Sequence, residues 1–369
     1  MHTPVVDVAP VTPPVPADRP AGRNHGLDAL RVAAICGVVA IHVFGEIVGN
    51  REMRGNTQWW IATAIDLGVV WCVPVFIMIS GALILSPRAH AAGPAEFYRK
   101  RFARILPAMI FWHVVYLVLV RMMMHGERPG PGRLAVNFLD ARVYTALYFL
   151  WLIAGLYLIA PVLAAFLRDG GERRAKIIAG VAVLWSVGAY MTPGVAAMLG
   201  EGRPITLGAW NIWFPYVGFF LAGWALRKVV PSPRGIALAA LVAVVVQAEV
   251  VWQYGVRPDY PWLQAVFPVT ASGLATTIGS GCLFVVALGL GARWTVSERG
   301  GRRLKQLSDA SFGVFLIHML VFEVVMRFVP AVAQGTSLAW SAGAYVVVLV
   351  TAFALSIVAG KIPYLRAVV

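Results

Sequence analysis

Four ionisable residues fall inside one apolar stretch near the start of the chain: Asp28, Arg31, His42 and Glu46, within Leu27 to Val48. Such groups are costly inside a membrane-spanning helix, so each is a candidate for chemistry. His42 follows Arg31 by eleven residues, three helical turns with roughly 20° left over, so the two side chains share a face about 16 Å apart. Glu46 lies one turn beyond His42 on the same stripe. A neutral imidazole at that depth can take a proton from a hydroxyl that attacks an acyl carbonyl, and Glu46 is the nearest carboxylate to orient it. Arg31, nearer the helix start, suits an anion. The competing reading makes His42 an interhelical hydrogen-bonding residue and lets Arg31 snorkel to headgroups. Spacing alone leaves both open.

The elements that must position these residues follow from composition. The 369-residue chain is 59% hydrophobic and only 13% charged, with a mean hydropathy of +0.75. Soluble domains carry roughly a quarter charged residues. Apolar runs long enough to cross a bilayer start near Leu27, Ala64, Ile105, Leu147, Ile177, Asn211, Ile236, Thr270, Phe312 and Trp340. The expected fold is an all-α integral membrane protein of about ten helices. Residues 25–369 form its one membrane domain, and 1–24 form a Pro/Ala-rich disordered tail. Cys36, Cys72 and Cys282 sit in apolar runs without ligand spacing, so no metal is expected.

The formal charge of +14 is not a nucleic-acid signal, because no aromatic-basic array or polar domain carries it. Topology accounts for it instead. Alternate loops at 86–104, 168–176, 227–234, 292–305 and 361–366 hold most of the Lys and Arg, and the intervening loops hold fewer than half as many. The positive-inside rule then makes the rich side, with both termini, cytoplasmic, and the protein multi-pass in the cytoplasmic (inner) membrane.

The segment LDALRVAAICGVVAIH, Leu27 to His42, resembles the opening motif of acyltransferase family 3, an Arg, ten residues and a His. Four later segments resemble the family in the same order: VPVFIMISGALIL from Val73, FYRKRFARILP from Phe97, WFPYVGFFLAGWAL from Trp213 and LSDASFGVFLIH from Leu307. The resemblance implies a membrane-embedded O-acyltransferase, acetylating a cell-surface polysaccharide or lipid-linked glycan, with His42 essential and Arg31 implicated. It also implies acetyl-CoA, or another acyl-CoA, as donor and co-substrate, besides membrane lipid. Many members carry a C-terminal hydrolase-like domain; this chain resembles the stand-alone form. Some relatives are described as exporters, so a transporter of a glycan or small solute is the alternative, and a haem protein using His42, His113 and His318 is a second.

Other positions are weighed against bland roles. The run Arg99, Lys100, Arg101 and Arg104 suits the 3′-phospho-ADP part of coenzyme A, or serves only as topogenic charge; Arg101 and Arg104 match the family segment and are favoured. Arg302, Arg303 and Lys305 extend a basic mouth or a solvated loop. With the ninth span starting at Phe312, His318 is too shallow to substitute directly for His42 and is read as structural or near the thioester path. His113 is read as a hydrogen-bonding residue, and Ser80 with Gly81 as a close-packing pair rather than a nucleophile.

Overall fold

The computed structural model describes residues 24–202, 204–256 and 259–369. The expected tail falls outside them apart from Asn24. Thirteen α-helices follow in order: α1 His25–Gly49, α2 Thr57–Leu67, α3 Cys72–Ile84, α4 Gly93–Val115, α5 Pro131–Leu139, α6 Tyr148–Met198, α7 Val217–Leu226, α8 Pro233–Val256, α9 Pro261–Val266, α10 Leu274–Gly291, α11 Glu298–Phe328, α12 Pro330–Ala333 and α13 Leu338–Ala359. Helix α4 runs on as π-helix through Tyr116–Met124. No strand occurs among the described residues.

Among the described residues, eight helical stretches are long and apolar enough to cross a membrane. Ten apolar segments were expected, and the difference has two local causes. Helix α6 is interrupted at Gly171, whose φ of 62° suits glycine. Gly155, before the break, lies against Trp213, whereas Val183, after it, lies against Gly218. A straight helix would hold residues 155 and 183 about 42 Å apart; both instead meet sites five residues apart in sequence, so α6 is a hairpin of two limbs. The other cause is the stretch Phe214–Leu226, apolar but too short to count as a full span.

Helix α1 sits at the centre, packed against α2, α3, α10, α11 and α13. Its start is fixed by Asn24, whose side chain accepts from the Gly26 and Leu27 amides at 2.9 and 3.3 Å. Its inner stripe of Ala34, Ile35, Val39, Val43 and Ile47 is fully buried. The second span breaks between α2 and α3, and the freed Gly68 carbonyl takes the Trp71 indole N–H at 2.9 Å and the Gln247 amide at 3.3 Å. Helices α3 and α7 cross backbone to backbone: a Cβ on Gly81 would overlap the Phe220 carbonyl oxygen, and one on Gly223 the Met78 carbonyl. Apolar lipid gives no hydrophobic drive between helices, so such close approach is what holds the crossing.

The expected starts of the third and ninth spans, Ile105 and Phe312, are too late. Hydropathy marks where charges stop, whereas α4 begins at Gly93 and α11 at Glu298, capped by Ser297. The loops rich in Lys and Arg gather at one end: Lys228 pairs with Glu172 at 3.1 Å, and Arg293 donates to the Pro231 carbonyl at 2.6 Å. At the opposite end Asn50 donates to the Gln334 carbonyl at 2.8 Å.

Candidate active site

A cavity of about 1410 Å³ opens at the basic end, between α1, α3, α4, the first limb of α6, α11 and the stretch after α13. Arg31 and His42 both line it, so the stripe read from their spacing faces a cavity rather than lipid. Phe76, Phe149 and Phe315 form an apolar wall, ring to ring at 6.4 and 5.1 Å.

The basic run splits into two pairs. Arg99 and Lys100 turn outward to Glu96 at 2.8 and 3.2 Å and do not line the cavity. Arg101 and Arg104 do line it. Arg101 rests over the Phe97 and Tyr157 rings at 5.6 and 5.9 Å, and Arg104 over Phe312 at 6.0 Å. Neither has a carboxylate partner among the described residues. A guanidinium steadied by an aromatic face keeps its N–H fork for a phosphate. Arg302, Lys305, Lys361 and Arg366 complete the rim; Arg302 pairs with Glu298 at 3.3 Å and Lys305 with Asp309.

His42 has an imidazole neighbour: its ring centroid is 5.3 Å from that of His318. The expectation that His318 lies too shallow is corrected. Because α11 starts at Glu298, His318 is 20 residues into its helix and His42 is 17 into α1, about 30 and 26 Å of rise. His318 is fully buried. Its Nδ1 lies 3.1 Å from the Val314 carbonyl, which can only accept, so Nδ1 carries the proton and Nε2 keeps its lone pair. Nε2 has no partner among the described residues.

Residues 24–360 match the family model described as an acyltransferase domain. The chain belongs to acyltransferase family 3. It is a multi-pass membrane acyltransferase, and the matched stretch spans nearly all of the 369 residues. No match is found among curated proteins or among solved structures.

Within this family 3 acyltransferase, Glu46 is not where the stripe suggests. It lines a separate pocket of about 610 Å³ at the opposite end, and no hydrogen bond joins it to His42. Four residues of helix lift Glu46 about 6 Å past His42, enough to aim it at the other opening. The expected orienting contact is therefore absent among the described residues, and His318 occupies the position beside His42.

A polar cluster lies beyond the two histidines; its acid, Glu323, is one of the intramembrane carboxylates evident in the sequence with Asp66 and Glu249, but its partners were missed. Glu323, one turn past His318 on α11, accepts from the Tyr144 hydroxyl and from His125 Nε2, the latter at 2.9 Å. The Tyr144 ring stacks on Tyr116 at 4.3 Å. Tyr116 donates to the Leu316 carbonyl at 2.7 Å and accepts from the Leu320 amide at 3.1 Å, a pair that an unbroken helix joins directly. Its hydroxyl thus inserts into the ladder of α11 around His318. Arg121 lies buried nearby, bonded to Glu127 at 2.6 Å and the Val143 carbonyl at 3.2 Å, and the Arg121 guanidinium holds the Glu127 carboxyl below its usual range. Tyr116 sits in an apolar run and Tyr144 in an aperiodic loop, so neither carries a sequence signal.

The remaining candidates have structural roles. His113 donates from Nδ1 to the Met109 carbonyl at 2.7 Å and accepts from the Trp151 indole at 3.1 Å, which occupies both ring nitrogens. Ser80 lines the cavity, while Gly81 serves the α3–α7 crossing. Trp112 donates to the Val368 carbonyl at 2.7 Å, drawing the stretch after α13 into the cavity wall.

Proposed function

We propose that the protein is an O-acyltransferase, most simply an O-acetyltransferase, that moves the acyl group of cytoplasmic acetyl-CoA to a hydroxyl of a cell-surface polysaccharide or lipid-linked glycan. The reading puts the protein in the cytoplasmic membrane with its basic end inside. One observation carries it: a single cavity has His42 in its depth and Arg101 and Arg104 at its mouth.

In this reading the 3′-phospho-ADP part of the donor meets Arg101, Arg104 and Arg31, and its pantetheine arm passes along Phe76, Phe149 and Phe315. The acceptor oxygen attacks the thioester carbonyl while His42 takes its proton; collapse of the tetrahedral intermediate breaks the C–S bond. The thiolate leaves and receives the proton from the His42 imidazolium. No covalent acyl-enzyme is needed. Apolar walls exclude water, which limits wasteful hydrolysis of the thioester.

Purified protein should release free thiol from acetyl-CoA only when a glycan acceptor is present. His42→Ala should insert normally yet lose transfer by about 10²- to 10⁴-fold, the usual worth of a general base. Glycan mass analysis of cells carrying each form reads the acyl increment; retained modification in His42→Ala would remove the residue from the mechanism. Solute movement without acyl consumption would favour an exporter.

A further inference from the structure

The pocket at the far end of α1 is built from the end of that helix and the turn after α12. Asn50 clamps the two together: its amide donates to the Gln334 and Gly335 carbonyls at 2.8 and 3.4 Å, and its side-chain oxygen accepts from the Glu52 amide at 2.9 Å. Gly335, at a φ of 60°, lies against the Glu46 carbonyl so closely that a Cβ there would overlap it. The turn therefore cannot drift from α1, and the pocket has a fixed shape.

Apart from Asn50, the groups facing this pocket are Glu46, Arg51, Glu52, Gln334 and Thr336. Thr336 bonds to the Ala331 carbonyl at 3.3 Å. The side chains of Glu46, Arg51, Glu52 and Gln334 have no hydrogen-bond or ion-pair partner among the described residues. No large apolar side chain lines the pocket, so it does not suit an acyl chain. Two carboxyl groups against one guanidinium disfavour a polyanion. What remains is an array of mixed donors and acceptors, which suits hydroxyls that each donate and accept. At about 610 Å³ the pocket falls within the roughly 300–1,000 Å³ of small-ligand sites.

We propose that this pocket, through Glu46, Glu52, Gln334 and Thr336, binds the hydroxyl-bearing substrate and selects a neutral, polyhydroxylated glycan unit over an acidic one. The proposal rests on the acyltransfer reading above for the meaning of "substrate", but the binding site is separately testable. Glu46 stands one helical turn from His42, so a glycan bound in the pocket approaches that histidine from the end opposite the anionic donor, with about 6 Å of helix rise between them. Glu46, Glu52, Gln334 and Thr336 then set acceptor specificity.

The test uses the full chain in nanodiscs with two soluble probes of equal length, neutral maltotriose and acidic trigalacturonate, and binding read by saturation-transfer NMR. A third arm carries the neutral sugar on diacylglycerol in the disc, which distinguishes a lipid-linked unit from a free glycan. The neutral sugar should bind in at least one form and more tightly than trigalacturonate. Gln334→Ala should weaken it by about threefold to tenfold, and Glu52→Lys should tighten trigalacturonate by about fivefold. Both side chains are exposed, and elution as a monodisperse peak reports folding. No saturable binding of the neutral sugar in either form, equal binding of both soluble probes, or indifference to both substitutions overturns the proposal. Gln334-dependent binding without thiol release from acetyl-CoA would keep the site and remove the acyltransfer reading; thiol release that prefers trigalacturonate would do the reverse.

Discussion

The two ends of α1 open into pockets of opposite chemistry. At the basic end, Arg101 and Arg104 rest on aromatic rings and line a deep cavity with apolar walls. At the other end Glu46, Glu52 and Gln334 line a shallower pocket without such walls. Charge alone would not separate them, since exposed arginines occur at both ends. The distinction lies in what each charge rests on: a guanidinium on a ring stays available to an anion, whereas one beside Glu96 or Glu127 is already answered.

The sharpest way to break this contrast is to remove both stacked arginines. Arg101→Ala with Arg104→Ala should raise the KM for acetyl-CoA by about a hundredfold, from two charge-assisted contacts of about 1.5 kcal/mol each, and leave the acceptor KM unmoved in steady-state assays. A rise in both constants would mean that the ends are not separate. Next in size is Tyr116→Phe, which removes the hydroxyl inserted in α11 beside His318. It should lower kcat by about tenfold, the scale of one lost buried hydrogen bond of about 1.4 kcal/mol, with both KM values kept, as read by single-turnover thiol release. The smallest effect should come from Arg99→Ala. Its side chain is exposed, paired with Glu96 and outside the cavity, so every constant should stay within about twofold. A larger loss would extend the donor site beyond the cavity wall.

Much of this was legible from residue types and spacing. The eleven-residue step from Arg31 to His42 puts both on one face, and that face lines the cavity. The family segments singled out Arg101 and Arg104 from a run of four cations, the same two that the structure turns inward. The depth of His318 was not legible, because α11 begins in a charged, amphipathic stretch that hydropathy assigns to a loop. The opening that Glu46 lines was not legible either: helical phase puts it above His42, but phase says nothing of which opening a flexible carboxylate faces. The two limbs of α6 were legible as separate apolar runs on either side of the 168–176 loop, whereas the Tyr116–Tyr144–Glu323 cluster joins three segments far apart in the chain, which no local pattern encodes.

Hollowing the bundle from both ends leaves His42 and Glu46 on opposite sides of a septum about one helical turn thick, roughly 6 Å against a bilayer core of about 30 Å. Water and salt in the two openings would carry the electrical ground of each compartment inward, so the membrane voltage drops across that turn and its field there is about fivefold steeper. A charge displaced through the septum exchanges about 2.3 kcal/mol with each 100 mV. In the cytoplasmic-membrane reading proposed above, any charge that crosses this turn during acyl transfer is coupled to the membrane potential, and turnover in sealed vesicles should respond to an imposed potential where turnover in detergent cannot.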